Sequence, residues 1–449
     1  MNPRLARHAA RAVPRYTSYP TAPHFEANFP AATYEAWLSA VDPAAPASLY
    51  LHVPFCAKMC WYCGCTMKLV ARYDPVAEYV ETLLAEIDLV AARLPGRIRI
   101  GHLHWGGGTP TTLTPRDLSR VMDRLAERFD VAPDAELAIE SDPRTLTEAM
   151  AQAIGRLGFT RASFGVQEFD PGVQAAINRI QPVAMVAEAV DRLRGAGVRG
   201  INFDLLYGLP RQTTATLLAT IDVCRALAPD RIALFGYAHV PWMARNQRMI
   251  GEDELPDGAA RARQSEAAAK ALRAADYAAI GIDHFALPRD PLAVAAREGR
   301  LRRNFQGYTT DASETLIGLG ASAIGRTGAG YVQNIGETGA WTREVRAGRL
   351  PVARGRALTA EDRLRAEAIE RVMCDGRADL TGLAARHGAS ADWWRDARDA
   401  LEALAEDGVL ALEGGRLAVT AEGLPLARVV AAAFDAYLPR TAARHSVAV

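Results

Sequence analysis

From about residue 48 the chain alternates short β-rich runs with helix-like ones, a pattern that few architectures satisfy. Strands are predicted at residues 48–53, 98–105, 136–141, 162–166, 200–206 and 231–237, with a late one at 277–282. Between them Val76, Tyr79, Val80, Leu83, Leu84, Ile87 and Val90 fall on one apolar stripe of an amphipathic helix. Residues 113–129, 145–157, 183–196, 213–227 and 259–275 read the same way. Repeated β-α units imply a parallel sheet, and right-handed crossovers curl it into an α/β fold, a partial (β/α)6 TIM-like barrel. The strand ends carry Trp105-Gly106-Gly107-Gly108-Thr109, Glu140, Gln167, Asp204 and Tyr237-Ala238-His239. Barrel enzymes build their sites at the carboxyl ends of strands. A single carboxylate there is as readily a helix N-cap, but five polar strand ends in succession point to a site.

The flanks differ from this core. Residues 1–45 hold Pro14, Pro20, Pro23 and Pro30 with little periodicity, which predicts an irregular arm. Residues 46–355 form the expected barrel unit. Within 356–449, residues 364–373, 380–387 and 393–404 look helical, and 409–412 and 417–419 flank Glu413-Gly414-Gly415 as a hairpin. That order predicts a small, mostly helical, winged-helix-like unit. Lys and Arg together number 52, as do Asp and Glu, so no global field recruits nucleic acid or anionic lipid, and no basic stripe appears. No apolar run approaches the roughly 18 residues of a spanning helix. The expectation is a cytoplasmic, monomeric protein that acts on a small molecule.

Four of the six cysteines lie within ten positions, at 56, 60, 63 and 65, while Cys224 and Cys374 stand alone in apolar surroundings and are expected to pack. Clustered cysteines in a chain without a disulfide framework suggest metal binding. Cys56, Cys60 and Cys63, in a loop straight after a strand, suffice for three irons of a [4Fe-4S] cubane with the fourth iron open. Cys65 could close the set, since such clusters ordinarily have four cysteine ligands. A four-cysteine zinc site is the alternative, although no second Cys-x-x-Cys knuckle is present.

The Cys-x-x-x-Cys-x-x-Cys spacing, with Tyr62 before Cys63, resembles the signature of radical S-adenosylmethionine enzymes. That resemblance implies that S-adenosylmethionine chelates the open iron and is cleaved to a 5′-deoxyadenosyl radical. It sharpens to the oxygen-independent coproporphyrinogen III oxidases through residues 15–21 (RYTSYPT), 63–65 (CGC), 103–110 (LHWGGGTP), 178–181 (NRIQ), 204–210 (DLLYGLP), 281–286 (GIDHFA) and 303–310 (RNFQGYTT). The family converts two propionates of coproporphyrinogen III to vinyls, giving protoporphyrinogen IX. What it implies here is a metal role for Cys56, Cys60 and Cys63, a catalytic role for Cys65, and two S-adenosylmethionine molecules per site. Tyr50, Gly107, Glu140 and Ile324 would contact the first. Tyr62, Gly108, Thr109, Gln167, Arg179, Asp204 and Ala238 would contact the second. A low-potential donor of flavodoxin or ferredoxin type is implied as partner. Arg15, Arg179 and Arg303 are candidates for the substrate's propionates, and the arm is expected to close over the substrate. Gly236 stands where the family usually has Asn, so a strand-end amide is missing. The related haem chaperones share the barrel but lack the Cys-Gly-Cys ending and the arm motif. A haem-binding protein without decarboxylase activity, and a porphyrin-directed radical methyltransferase, are the rival readings.

Overall fold

The computed structural model describes residues 3–438; residues 1, 2 and 439–449, at the outer ends of the expected arm and C-terminal unit, lie outside it. Six β-α units follow one another. They are β1 (Ala47–Val53) and α1 (Asp74–Ala91), β2 (Arg99–Gly107) and α2 (Pro115–Arg128), and β3 (Asp130–Ser141) and α3 (Glu148–Arg156). Then come β4 (Arg161–Gln167) and α4 (Val183–Gly195), β5 (Gly200–Tyr207) and α5 (Thr214–Leu227), and β6 (Arg231–Gly236) and α6 (Gly258–Ala274). Each strand pairs in parallel with the next. Threonines start several helices: Thr114, Thr147 and Thr213 accept backbone N–H bonds from Asp117, Met150 and Thr216. The apolar stripe of α1 is buried against the sheet, and Trp105, Phe164 and Phe203 are fully buried in it. Each such side chain contributes about 1.5–3 kcal/mol by leaving water.

The sheet stays open. β7 (Thr315–Leu319) lies parallel to β1, and β8 (Ile324–Thr327), β9 (Gly330–Asn334) and β10 (Val352–Ala357) continue antiparallel, out to Glu26–Ala27 of the arm. Beyond β6, His284–Ala286 and Ala278–Ile280 form an antiparallel edge. The result is a partial barrel of six β-α units with antiparallel extensions on both sides.

Sequence periodicity missed the strands between residues 302 and 357. Glycines interrupt their alternation, and the fold requires them: a Cβ on Gly318 would lie 2.7 Å from the Ile324 backbone. The arm is also more ordered than its prolines suggested. Pro30 sits just before a helix, Ala31–Ser39, where its missing N–H costs nothing, and Tyr34 and Leu38 bury one face. In the C-terminal unit, Ala360–Asp375, Leu380–His387 and Arg398–Glu406 precede the hairpin of Leu410–Glu413 and Arg416–Val419, which Arg377–Asp379 joins as a third strand. The third of these helices starts later than its periodicity suggested because the Trp393 indole N–H donates to the Leu380 carbonyl at 3.0 Å and a turn intervenes. A second core joins the arm (Leu5, Val13, Tyr16, Tyr19) to this unit (Leu364, Val372, Leu401, Phe434).

Candidate functional site

The cysteine loop leaves β1 and is fastened at both ends. Phe55–Cys56 pairs with Lys68–Leu69, and Cys63 N–H donates to the Cys60 carbonyl at 3.3 Å. Distant residues fix its shape. The Asn246 amide donates to the carbonyls of Cys60, Trp61 and Cys63 at 3.2, 3.1 and 2.8 Å. Gln247 donates to the carbonyls of Tyr62 at 2.8 Å and Ala238 at 3.2 Å, tying the loop to the end of β6. Asn178 donates to the Met59 carbonyl at 2.8 Å.

Each thiol has a different setting. Cys60 is buried and accepts from Arg179 Nη1 at 3.2 Å and Arg144 Nη2 at 3.3 Å. Cys56 Sγ lies 3.6 Å from Thr109 Oγ1, and burial pushes its thiol up to about 11. Cys63 is held down to about 7, chiefly by a hydrogen bond from the Cys65 thiol, with the Cys65 backbone N–H, 3.4 Å from the sulfur, adding to it. Cys65 itself is exposed, and its hydrogen bond to Cys63 raises its own thiol. The donor set suits an anionic iron-sulfur cluster: three thiols on one loop, two guanidiniums at one sulfur, a hydroxyl and an amide at the others.

The glycine run leaves no room for side chains on one face. A Cβ on Gly106 would meet Glu140 Oε1 at 2.9 Å, one on Gly107 the Val53 carbonyl at 2.8 Å, and one on Gly108 the Phe55 carbonyl at 2.7 Å. The missing side chains therefore let β2 lie against the root of the cysteine loop, and Gly107 uses a φ of +121° that other residues avoid. Gly107 N–H donates to Glu140 Oε2 at 3.2 Å, while His104 lies 3.3 Å from Oε1. Tyr50 stacks on His104 and shares a hydrogen bond of 3.0 Å with His52. Ile324 lies across β7 from that pair: its backbone packs on Gly318, the register partner of Tyr50.

On the other side of the mouth, Gln167 ends β4 in a left-handed conformation (φ +66°). Asp204 accepts from Ser163 at 3.0 Å and Asn202 at 2.8 Å, and burial raises its carboxyl, with Glu140 adding to the shift. Arg179 is buried. Beyond Cys60 it donates to the Gly165 carbonyl and lies 3.5 Å from Asp142, which Arg144 also grips at 2.6 Å. Burial opposes its charge, but Tyr62, Asp142 and Cys60 outweigh that and raise its pKa. Its place is thus at the cysteine loop, away from Arg15 and Arg303, which come together in a separate cavity. The space at Gly236 is filled by protein: a Cβ there would meet Tyr207 Oη at 2.9 Å and Arg261 Nη2 at 3.1 Å. Sequence reasoning missed Arg144, Asn246, Gln247, Arg261 and Arg428. Only Arg144, three residues past the end of β3, carried a local signal, a strand-end position like those already singled out.

Residues 50–224 match the Radical SAM superfamily, and residues 358–426 match the HemN C-terminal domain. The oxygen-independent coproporphyrinogen III oxidase of Bradyrhizobium diazoefficiens is 53% identical over 437 residues, 97% of each chain. Its counterpart from Salmonella typhimurium is 39% identical over 432 residues, 96% of this chain and 94% of its own. The solved coproporphyrinogen III oxidase (HemN) of Escherichia coli, described as a radical SAM enzyme, superposes with a TM-score of 0.91 at 36% identity, covering 95% of this chain and 100% of that one.

Proposed function

The chain belongs to the oxygen-independent coproporphyrinogen III oxidases, radical S-adenosylmethionine enzymes, and from that premise we propose how its own residues divide the work. Full-length similarity to the oxidases favours decarboxylation of coproporphyrinogen III over the haem-trafficking alternative. When bound, a [4Fe-4S] cluster and S-adenosylmethionine would supply the radical that takes a hydrogen atom from a propionate side chain; the side chain would then lose CO₂ and pass one further electron to an acceptor, its two remaining carbons staying on the ring as a vinyl group.

Cys56, Cys60 and Cys63 would hold the cluster. Arg144 and Arg179 would offset the negative charge at Cys60, and the Asn246 and Gln247 amides would fix the loop. Tyr50, Gly107, Glu140 and Ile324 would bind the S-adenosylmethionine at the open iron, Glu140 accepting from its amine. Tyr62, Gly108, Thr109, Gln167, Arg179, Asp204 and Ala238 would bind a second molecule, with Asp204 accepting from ribose hydroxyls. Cys65, exposed and outside the three-cysteine set, would act on substrate rather than iron. The division into an arm (1–45), a catalytic barrel (46–355) and a C-terminal unit (356–449) assigns the chemistry to the middle part. A low-potential flavodoxin or ferredoxin would deliver electrons to the monomer. No described helix is long and apolar enough to cross a membrane, and a cytoplasmic site of action is in keeping with that.

The observation that carries this division is the buried Cys60 sulfur clasped by two guanidiniums on a loop pinned by Asn246. Anaerobic reconstitution with iron and sulfide, then incubation with coproporphyrinogen III, S-adenosylmethionine and a reductant, tests it. Protoporphyrinogen and methionine are the expected products; the absence of both defeats the assignment.

A further inference from the structure

A cavity of about 60 Å³ opens beyond the carboxyl ends of β5 and β6, where they meet the arm and the C-terminal unit. It is too small for a tetrapyrrole and well sized for the ends of carboxylate side chains. Four guanidiniums line it, one from the arm (Arg15), two from the barrel unit (Arg261, Arg303) and one from the C-terminal unit (Arg428). Among the described residues Asp283 is its single lining carboxylate, already bonded to His284 at 2.7 Å and 4.0 Å from Arg303.

These charges are held in place. Arg428 Nε donates to the Pro14 carbonyl at 3.0 Å, and Arg303 donates to the Arg15 carbonyl at 3.4 Å. Arg261 lies over the Tyr207 ring in a slot that exists because residues 208 and 236 are glycines: a Cβ on either would lie 2.3 Å and 3.1 Å from its guanidinium. Arg303 is 5% exposed, yet among the described residues its Nε and Nη1 have no hydrogen-bond partner, and neither has Arg261 Nε. Buried donors without acceptors, beside like charges, are costly unless an anion completes them.

We propose that this cavity binds two carboxylates of the tetrapyrrole, and that they are the pair retained in the product. The proposal rests on the assignment of coproporphyrinogen III as substrate. The cavity lies at β6, whereas the glycine run and Glu140 lie at β2 and β3, so carboxylates held here are carried away from the reacting end. Guanidinium pairs also keep a carboxylate ionised and fixed, which suits groups that stay rather than groups that depart as CO₂.

Titration of the reconstituted enzyme with coproporphyrin III, protoporphyrin IX and the tetramethyl ester of coproporphyrin III, read by porphyrin fluorescence, tests this. Arg261→Gln should weaken both free acids by about ten-fold and to a similar extent, and leave the ester unchanged. Arg15→Gln, at an exposed position, should act in the same direction should Arg261→Gln fold poorly; iron content and S-adenosylmethionine binding serve as integrity checks. Unchanged affinities in both variants would overturn the proposal. So would a loss confined to coproporphyrin III, because the cavity would then hold the reacting pair. A wild-type enzyme that neither binds coproporphyrin III nor decarboxylates coproporphyrinogen III would instead refute the substrate assignment, and the proposal with it.

Discussion

Two guanidiniums at one sulfur set the electrostatics of the cysteine loop. Arg144→Gln removes a charge-assisted hydrogen bond to Cys60 Sγ, an interaction of about 1.5–3 kcal/mol. The reduced, more negative cluster should lose more than the oxidised one. Its midpoint potential is therefore expected to fall by on the order of 50 mV, measured by potentiometric titration followed by electron paramagnetic resonance. An unchanged potential would show that Arg144 serves Asp142 alone. Cys65 meets Cys63 through its thiol and through its backbone N–H; the backbone contact survives side-chain replacement, and a serine hydroxyl can take the thiol's place as donor. Cys65→Ser should keep its iron and sulfide and lose turnover; loss of the cluster would make Cys65 a ligand instead. The cysteine motif was legible because its ligands are neighbours in sequence. Asn246 and Arg261 were not, since each acts on groups that only the fold brings near. Gly236 was read as a missing amide, and only the fold shows that the ends of Tyr207 and Arg261 close on it.

Among the elements, α1 does more than cover the sheet. Its buried Glu86 accepts from Gly320 N–H at 2.6 Å and from Asn334 at 2.7 Å, welding the helix to the ends of β7 and β9. Burial pushes this carboxyl from 4.5 up to about 7. Because the folded value is raised, the folded state binds more protons between those limits, and stability falls as pH climbs through that window. The loss attributable to Glu86 is about 3 kcal/mol from about pH 4.5 to 7. Denaturation midpoints of the wild type and Glu86→Gln at about pH 5 and 8 check this; the same pH slope in both proteins would be the contrary result. The periodic stripe of α1 announced the helix, but a stripe of apolar residues carries no sign of a buried Glu86. Its partners come from β-strands that glycines had hidden.

In the whole molecule, the arm and the C-terminal unit share a core, so neither is a passive appendage. Deleting residues 1–30 removes Leu5, Val13, Tyr16 and Tyr19 from that core, along with Arg15 from the cavity. Decarboxylation should be abolished while iron and sulfide content is kept, and the C-terminal unit should become more protease-sensitive. A fully active truncation would mean the arm closes over nothing. The parallel half of the sheet was readable from alternation alone, because each β-α unit is local. The antiparallel extensions were not: Glu26–Ala27 pairs with β10 more than 300 positions away, and no short-range pattern encodes that. One consequence follows from the Asn246 clamp. The amide that shapes the cysteine loop lies 183–186 residues downstream of the carbonyls it holds. At ribosomal rates of about 5–20 residues per second, the thiols emerge about 10–40 s before the group that organises them. During that interval they are an unshaped, oxidisable trio, and orderly loading with iron and sulfide belongs to the finished chain.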